Sequence, residues 1–177
     1  YQYLDYPSLI RGGHNFAIVR ASDKKIGAHR DRVDFLLALN QETIDRHEWR
    51  LKESSIVIYD SDEVKSQVDG GIGLPLKTMA KEAGAPAIAR NSGLIGAFSG
   101  AAGIEEGVVE DVLRKAIPKS IEENLEVARR GREEIDGEEG LKVERRSYPC
   151  CPVITGNEII GLGLLRGGLE AYVAYPM

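Results

Sequence analysis

Arg11 stands directly before two adjacent glycines, Gly12 and Gly13, in a stretch that also holds Tyr6, Pro7, Ser8, His14 and Asn15. A guanidinium is a planar fork of donors suited to carboxylate or phosphate. Paired glycines permit positive φ or the close approach of another group. The plainer reading of the same residues is a tight turn with a surface cation. Two asparagines are the other candidates. Asn91 opens a run of small residues (Gly93, Gly96, Ala97, Ser99, Gly100, Ala101). It is either an N-cap or an amide presented at a helix N-terminus, where anions are welcome. Asn124 lies among Ile121, Leu125 and Ala128. A buried amide there needs partners, which are backbone groups or a ligand.

Other motifs carry less. Asp69-Gly70-Gly71-Ile72-Gly73 lacks the spacing of a phosphate loop. Asp60, at a strand end, has no upstream glycine fingerprint to make it a ribose ligand. His14, His29 and His47 share no metal-like spacing, and each is expected to be structural or exposed. Cys150 and Cys151 are adjacent and do not by themselves make a metal site. No nucleophile–base or carboxylate pair has defined spacing, so no catalytic residue and no metal ligand is assigned.

The elements that must position these residues follow from periodicity and punctuation. Residues 14–22 alternate like a strand, 22–25 are turn-like, and 26–29 are expected to return as a hairpin partner. The apolar run 33–39 predicts a buried strand. A short helix over 41–49 is expected to use Ile44 and Trp49 as apolar contacts. A strand over 55–59 ends at Asp60, and strand–helix–strand implies a right-handed crossover and a parallel pair. Residues 61–73 read as a polar loop. Pro75 then starts a helix with Leu76, Met79 and Ala80 on one face and Gly84 as its stop. The small residues of a helix over 90–102 cost propensity, which close approach of another backbone would offset. Helices over 105–117 (Val108, Val109, Val112, Leu113, Ala116) and 121–135 (Ile121, Leu125, Ala128, Ile135) follow. Beyond a charged, Pro- and Cys-containing linker, Thr155 is a possible cap for a helix ended by Gly167-Gly168, and 169–175 reads as a strand.

The 177 residues suffice for one medium domain with a real core. A net charge of −5 argues against a nucleic-acid platform. No apolar stretch approaches the roughly 20 residues that cross a bilayer, and no signal peptide is visible, so a membrane role is not expected. The adjacent cysteines point to a reduced, cytoplasmic setting.

Residues 6–15 with Val19-Arg20-Ala21-Ser22 resemble the gamma domain of the 2-oxoacid:ferredoxin oxidoreductases, of the pyruvate/2-oxoglutarate type. Residues 33–40, 56–60 and 74–80, then Asn91 ahead of its Gly/Ala helix, continue the pattern over roughly residues 1–135. Thr155-Gly156-Asn157-Glu158 and Ala174-Tyr175-Pro176 resemble the start of the alpha subunit's catalytic domain, which in many members follows the gamma domain. The resemblance implies an α/β fold: a three-layer, Rossmann-like gamma domain with a mixed, mostly parallel sheet, its first βα unit missing, and C-terminal helices. Residues 136–153 would be the linker, and 154–177 the short start of a second α/β domain.

It also implies an assembly that decarboxylates a 2-oxoacid on thiamine diphosphate with Mg²⁺, passes electrons through [4Fe-4S] clusters to ferredoxin and releases an acyl-CoA. Those cofactors would sit mainly outside this chain. Implied partners are a thiamine-diphosphate-binding beta subunit and ferredoxin or a ferredoxin-like subunit, in a dimer of alpha-beta units. Coenzyme A contacts carried over by position fall on Ser8, Arg11, Gly12, Gly13, Asn91 and Asn124. The alternatives are a non-catalytic scaffold or interface domain, and an unrelated Rossmann-like nucleotide-binding module.

Overall fold

The computed structural model describes residues 1–5, 13–24, 26–66, 68–135 and 154–173. The chain divides into two compact units, residues 1–144 and 145–177. The first opens with a ribbon. Strand β1 (Gln2–Asp5) pairs antiparallel with β2 (Phe16–Val19), Gln2 opposite Val19 and Asp5 opposite Phe16. The expected partner over 26–29 forms no strand; Ala28 instead accepts a hydrogen bond from Arg20 Nη1 at 2.9 Å. Gly27 and Ala28 offer little to a cross-strand pair, whereas Tyr3 brings its ring within 6.1 Å of Phe16.

The body is a three-stranded parallel sheet in the order β3 (Val33–Ala38), β4 (Leu51–Asp60), β5 (Ile72–Leu74). Helix α1 (Gln41–His47) makes the crossover between β3 and β4. Its N-cap Asn40 accepts from Thr43 N at 2.9 Å and from Thr43 Oγ1 at 2.8 Å. A 3-10 turn (Glu48–Arg50) follows. Ile44 is buried as expected, but Trp49 is 53% exposed, and the Arg50 guanidinium lies 4.3 Å from the centre of its ring. The tighter 3-10 winding turns residue 49 off the inward face of α1.

Strand β5 lies inside the stretch that reads as a loop. It is only three residues long, and Gly73 at its centre hides the usual alternation. That glycine is required: a Cβ there would lie 2.8 Å from Cζ of Tyr59, its cross-strand partner, whose ring covers the gap. Gly70, with φ +67°, turns the chain into the strand.

Alternation along β4 sends Val57 and Ile58 to opposite faces. Val57 packs with Ala38, Ile44 and Val64 on the α1 side. Ile58 packs on the other side with Leu74, Leu76, Met79, Leu94, Ala97, Ala101 and Ile135. Phe35 meets Phe98 edge-to-face at 5.0 Å. Three layers result: α1, the sheet, and a second helical layer. That layer comprises α2 (Leu76–Glu82), which follows Pro75 and stops at Gly84 (φ +65°), and α3 (Arg90–Ala101). It continues with α4 (Glu106–Ala116) and α5 (Ile121–Glu133).

The small residues of α3 meet α5 backbone to backbone. A Cβ on Gly96 would fall 1.8 Å from the Ala128 carbonyl oxygen, and one on Gly131 would fall 2.1 Å from that of Gly93. The buried stripe of α5 is Asn124, Val127, Ala128 and Gly131, continued by Ile135. Leu125, expected on that stripe, is half-buried and turned toward α4. On α4 only Leu113 is buried; Val108 and Val112 are exposed.

The second unit contributes α6 (Gly156–Arg166), started by a capping box. Thr155 Oγ1 accepts from Glu158 N at 3.2 Å, and Glu158 Oε2 accepts from Thr155 N at 2.6 Å. Residues 169–173 are not a strand, contrary to expectation. A strand needs a ladder partner, and α6 is the one regular element described in this unit. Residues 174 and 175, the cysteines and the linker lie outside the described residues.

Candidate functional site

The end of β3, the start of α2 and the run into α3 border an open cleft of about 440 Å³, lined by Leu39, Lys77, Ala87, Ile88, Arg90 and Asn91. Leu39 directly follows β3. Pro75 and Pro86 fix the entries to α2 and to a 3-10 turn (Ala87–Ala89) that runs into α3. Arg90 and Asn91 are therefore the first residues of a 12-residue helix whose N-cap, Ala89, offers no side-chain acceptor. The positive end of the helix dipole faces the same region.

Behind Arg90 lies a carboxylate cluster. Asp60, at the end of β4, is fully buried. Its Oδ1 accepts from Asp62 N at 3.1 Å, while Oδ2 has no hydrogen bond. Arg90 Nη1 lies 3.6 Å from that Oδ2 and 3.8 Å from Glu63 Oε1, beyond hydrogen-bond reach of both. Glu63 accepts instead from Lys77 Nζ at 2.8 Å, and Asp62 Oδ2 accepts from Thr78 N at 2.8 Å. Burial holds the Asp60 carboxyl above its ordinary range, opposed by the Asp62 amide and Arg90. The hydrogen bond from Lys77 holds Glu63 below its ordinary range. Arg90 is thus tethered electrostatically with its donors uncommitted.

Among the sequence candidates, Asn91 is exposed and lines this cleft. Gly13 has φ +91°, the region glycine alone enters freely. Ser8, Arg11 and Gly12 lie outside the described residues. Asn124 is not at the cleft surface. It is 3% exposed, its Oδ1 accepts from Ser92 Oγ at 2.7 Å, and its Nδ2 donates to Ser120 O at 2.8 Å. Through Ser92, the neighbour of Asn91, it holds the first turn of α3. Ser120 itself adopts a left-handed φ of 51°.

Sequence reasoning missed Arg90 and Lys77 as cleft residues. Asp60 at a strand end was the one readable signal. His14 and His47, with no local signal at all, meet in space. Among the described residues no three His, Cys, Asp or Glu side chains gather as a metal site. No described helix is long and apolar enough to cross a membrane.

A parallel sheet between helical layers, with a cleft outside the carboxyl ends of its strands, defines a Rossmann-like α/β domain. Residues 1–134 match the sequence pattern of the pyruvate ferredoxin/flavodoxin oxidoreductase family, and the chain belongs to that family. It is 34% identical over 132 residues to the 2-oxoglutarate synthase subunit KorC of Archaeoglobus fulgidus, covering 73% of this chain and 68% of KorC. Its fold is similar to that of the 2-oxoglutarate:ferredoxin oxidoreductase of Magnetococcus marinus, solved with 2-oxoglutarate, coenzyme A and succinyl-CoA bound. The TM-score is 0.80 at 26% identity, over 96% of this chain and 32% of that one. It is also similar to a keto/oxoacid ferredoxin oxidoreductase gamma subunit from Geobacter sulfurreducens, with a TM-score of 0.60 at 26% identity over 76% of this chain and 79% of that one. The chain thus spans about a third of the Magnetococcus polypeptide and about two thirds of KorC. These relatives are subunits of multi-subunit oxidoreductases.

Proposed function

We propose that this chain is the gamma domain, with the opening of the alpha domain, of a cytoplasmic 2-oxoacid:ferredoxin oxidoreductase that converts a 2-oxoacid and coenzyme A to an acyl-CoA. In this reading the domain supplies coenzyme A contacts and subunit interface. Thiamine diphosphate, Mg²⁺ and [4Fe-4S] clusters supply the decarboxylation and electron transfer elsewhere in the assembly. A beta subunit and ferredoxin complete it. The similarity to the Magnetococcus enzyme runs over nearly the whole chain, which supports the fusion of gamma and alpha parts.

The observation that carries the coenzyme A reading is the cleft. Arg90, Lys77 and Asn91 converge at the uncapped N-terminus of α3, a setting that suits a phosphate-bearing ligand. Asp60 and Glu63 keep Arg90 in place without occupying its donors. Asn91 touches the ligand, whereas Asn124 acts from behind by fixing Ser92 and hence the helix start. By the family resemblance, further coenzyme A contacts are assigned to Ser8, Arg11, Gly12 and Gly13.

The complete enzyme carrying Arg90→Gln should show a KM for coenzyme A raised about tenfold or more, the loss of one charge-assisted hydrogen bond, with an unchanged KM for the 2-oxoacid. Equal KM values for coenzyme A in wild type and variant would sink the reading. A scaffold role has support of its own in the exposed Leu4 and Val19 of the ribbon. Under that reading, substitutions at the ribbon weaken subunit association, seen by sedimentation, and Arg90→Gln leaves coenzyme A kinetics untouched.

A further inference from the structure

His14 and His47 are separated by 33 positions, yet their Nε2 atoms lie 2.8 Å apart. His47 closes α1 and is 7% exposed; His14 lies just ahead of β2. Phe16 covers both rings, stacked on His14 at 5.7 Å and tilted against His47 at 4.6 Å. The contact joins the β1–β2 ribbon to the crossover helix of the parallel sheet. We propose that the His14–His47 pair is a proton-dependent latch, which fastens the ribbon to α1 when the pair holds a single proton between its Nε2 atoms and releases it when both atoms carry one.

The chemistry follows from the inventory of imidazole. A neutral ring is a donor at one nitrogen and an acceptor at the other, so one Nε2–H facing one bare Nε2 makes a hydrogen bond. The singly charged pair keeps that bond and strengthens it. The doubly charged pair sets two N–H groups against each other with no acceptor and two like charges in contact.

The surroundings oppose that second charge. Arg46 from α1 and Arg50 from the following 3-10 turn face His47, as does His14 from the ribbon. Arg46 is paired with Glu42 at 2.7 Å, and Arg50 lies 3.9 Å from Asp31. The ribbon's own carboxylate, Asp5, opposite Phe16, accepts from the Tyr3 hydroxyl at 3.2 Å. Burial first, then His14, Arg50 and Arg46, hold His47 below the ordinary histidine range. The unfolded chain therefore binds this proton more readily than the folded one. The stabilisation is complete above the unfolded value of about 6.5 and is lost as pH falls through the depressed value in the folded chain.

The test is histidine-resolved NMR on the full chain in chelator, from about pH 7.5 to about pH 5. The second proton should enter the pair in a separate, lower step, below the ordinary histidine range, the direction in which His47 is held. The cross-relaxation signal between the Phe16 and His47 rings should disappear through the lower step. In His14→Gln the amide can donate to a neutral His47 or accept from a charged one, so the ring signal should survive in acid. A His47 that takes up its proton within the ordinary histidine range, a ring signal that persists in acid, or an equal acid loss in His14→Gln would each overturn the latch. So would a ring contact seen only when the chelator is left out, which would assign the two rings to a metal ion.

Discussion

Ser92 and Asn124 show how much one buried polar pair decides. Each is almost wholly removed from solvent, and each satisfies the other. Asn124→Ala strands the Ser92 hydroxyl and removes the support of Ser120, so a loss of about 1–3 kcal/mol is expected in urea denaturation. Ser92→Ala should cost less, and the double variant should fall short of the sum by at least about 0.5 kcal/mol, since the two act through one bond. Asp60 runs the other way. Its carboxyl is raised by burial, so the folded chain holds that proton better than the unfolded one. Stability from this group is greatest below the unfolded value of about 3.9 and is lost as pH rises through the folded value. Asp60→Asn should therefore not destabilise the chain at neutral pH, and any advantage should shrink in acid; a clear loss at neutral pH would show that Arg90 outweighs the desolvation. Asn124 could be read in the sequence as an amide on an apolar face. Its partner could not, because Ser92 lies 32 positions away and nothing local links them.

At the scale of elements, the α3–α5 contact separates glycines that are required from one that is not. Gly96→Ala or Gly131→Ala drives a methyl into a backbone carbonyl, and backbone cannot step aside as a side chain would. A loss of about 3 kcal/mol or more is expected from such overpacking. Gly107 in α4 has nothing within reach of a new Cβ, so Gly107→Ala should instead stabilise by about 0.5–1 kcal/mol. Circular dichroism melts of the three variants would order them. The close approach was legible in the crowding of small residues along 90–102, because propensity alone gives no reason for them. Strand β5 was not legible, since its glycine makes sense only beside Tyr59. The ribbon partner was missed for a related reason: β1 lies upstream of the turn chemistry that pointed downstream. Of the stripe expected on α5, Ala128 and Ile135 are buried, while Gly131 and Val127, and not Leu125, meet α3.

For the whole molecule, every buried cluster falls between Ala38 and Ile135. The first unit therefore contains its own core. A chain ending at residue 144 should melt cooperatively with the midpoint of the full chain, followed by circular dichroism; a lower midpoint would mean that the second unit supports the first. Within the second unit, Ile159, Ile160, Leu162 and Leu165 of α6 are exposed. The layered α/β architecture could be read from strand–helix–strand order and from the family motifs. The cleft could not, because Leu39 at the end of β3, Lys77 on α2 and Arg90 on α3 come from three separate elements.

Two glycine teeth, Gly96 against Ala128 and Gly131 against Gly93, also set the register between α3 and α5. Sliding one helix along the other by a single residue, about 1.5 Å, would push a side chain into a carbonyl. The pair can tilt or shift together but cannot shear. Any displacement imposed on Arg90 and Asn91 at the head of α3 is therefore carried along α5 toward Ile135, so the cleft and the carboxyl end of α5 are the two ends of one stiff lever.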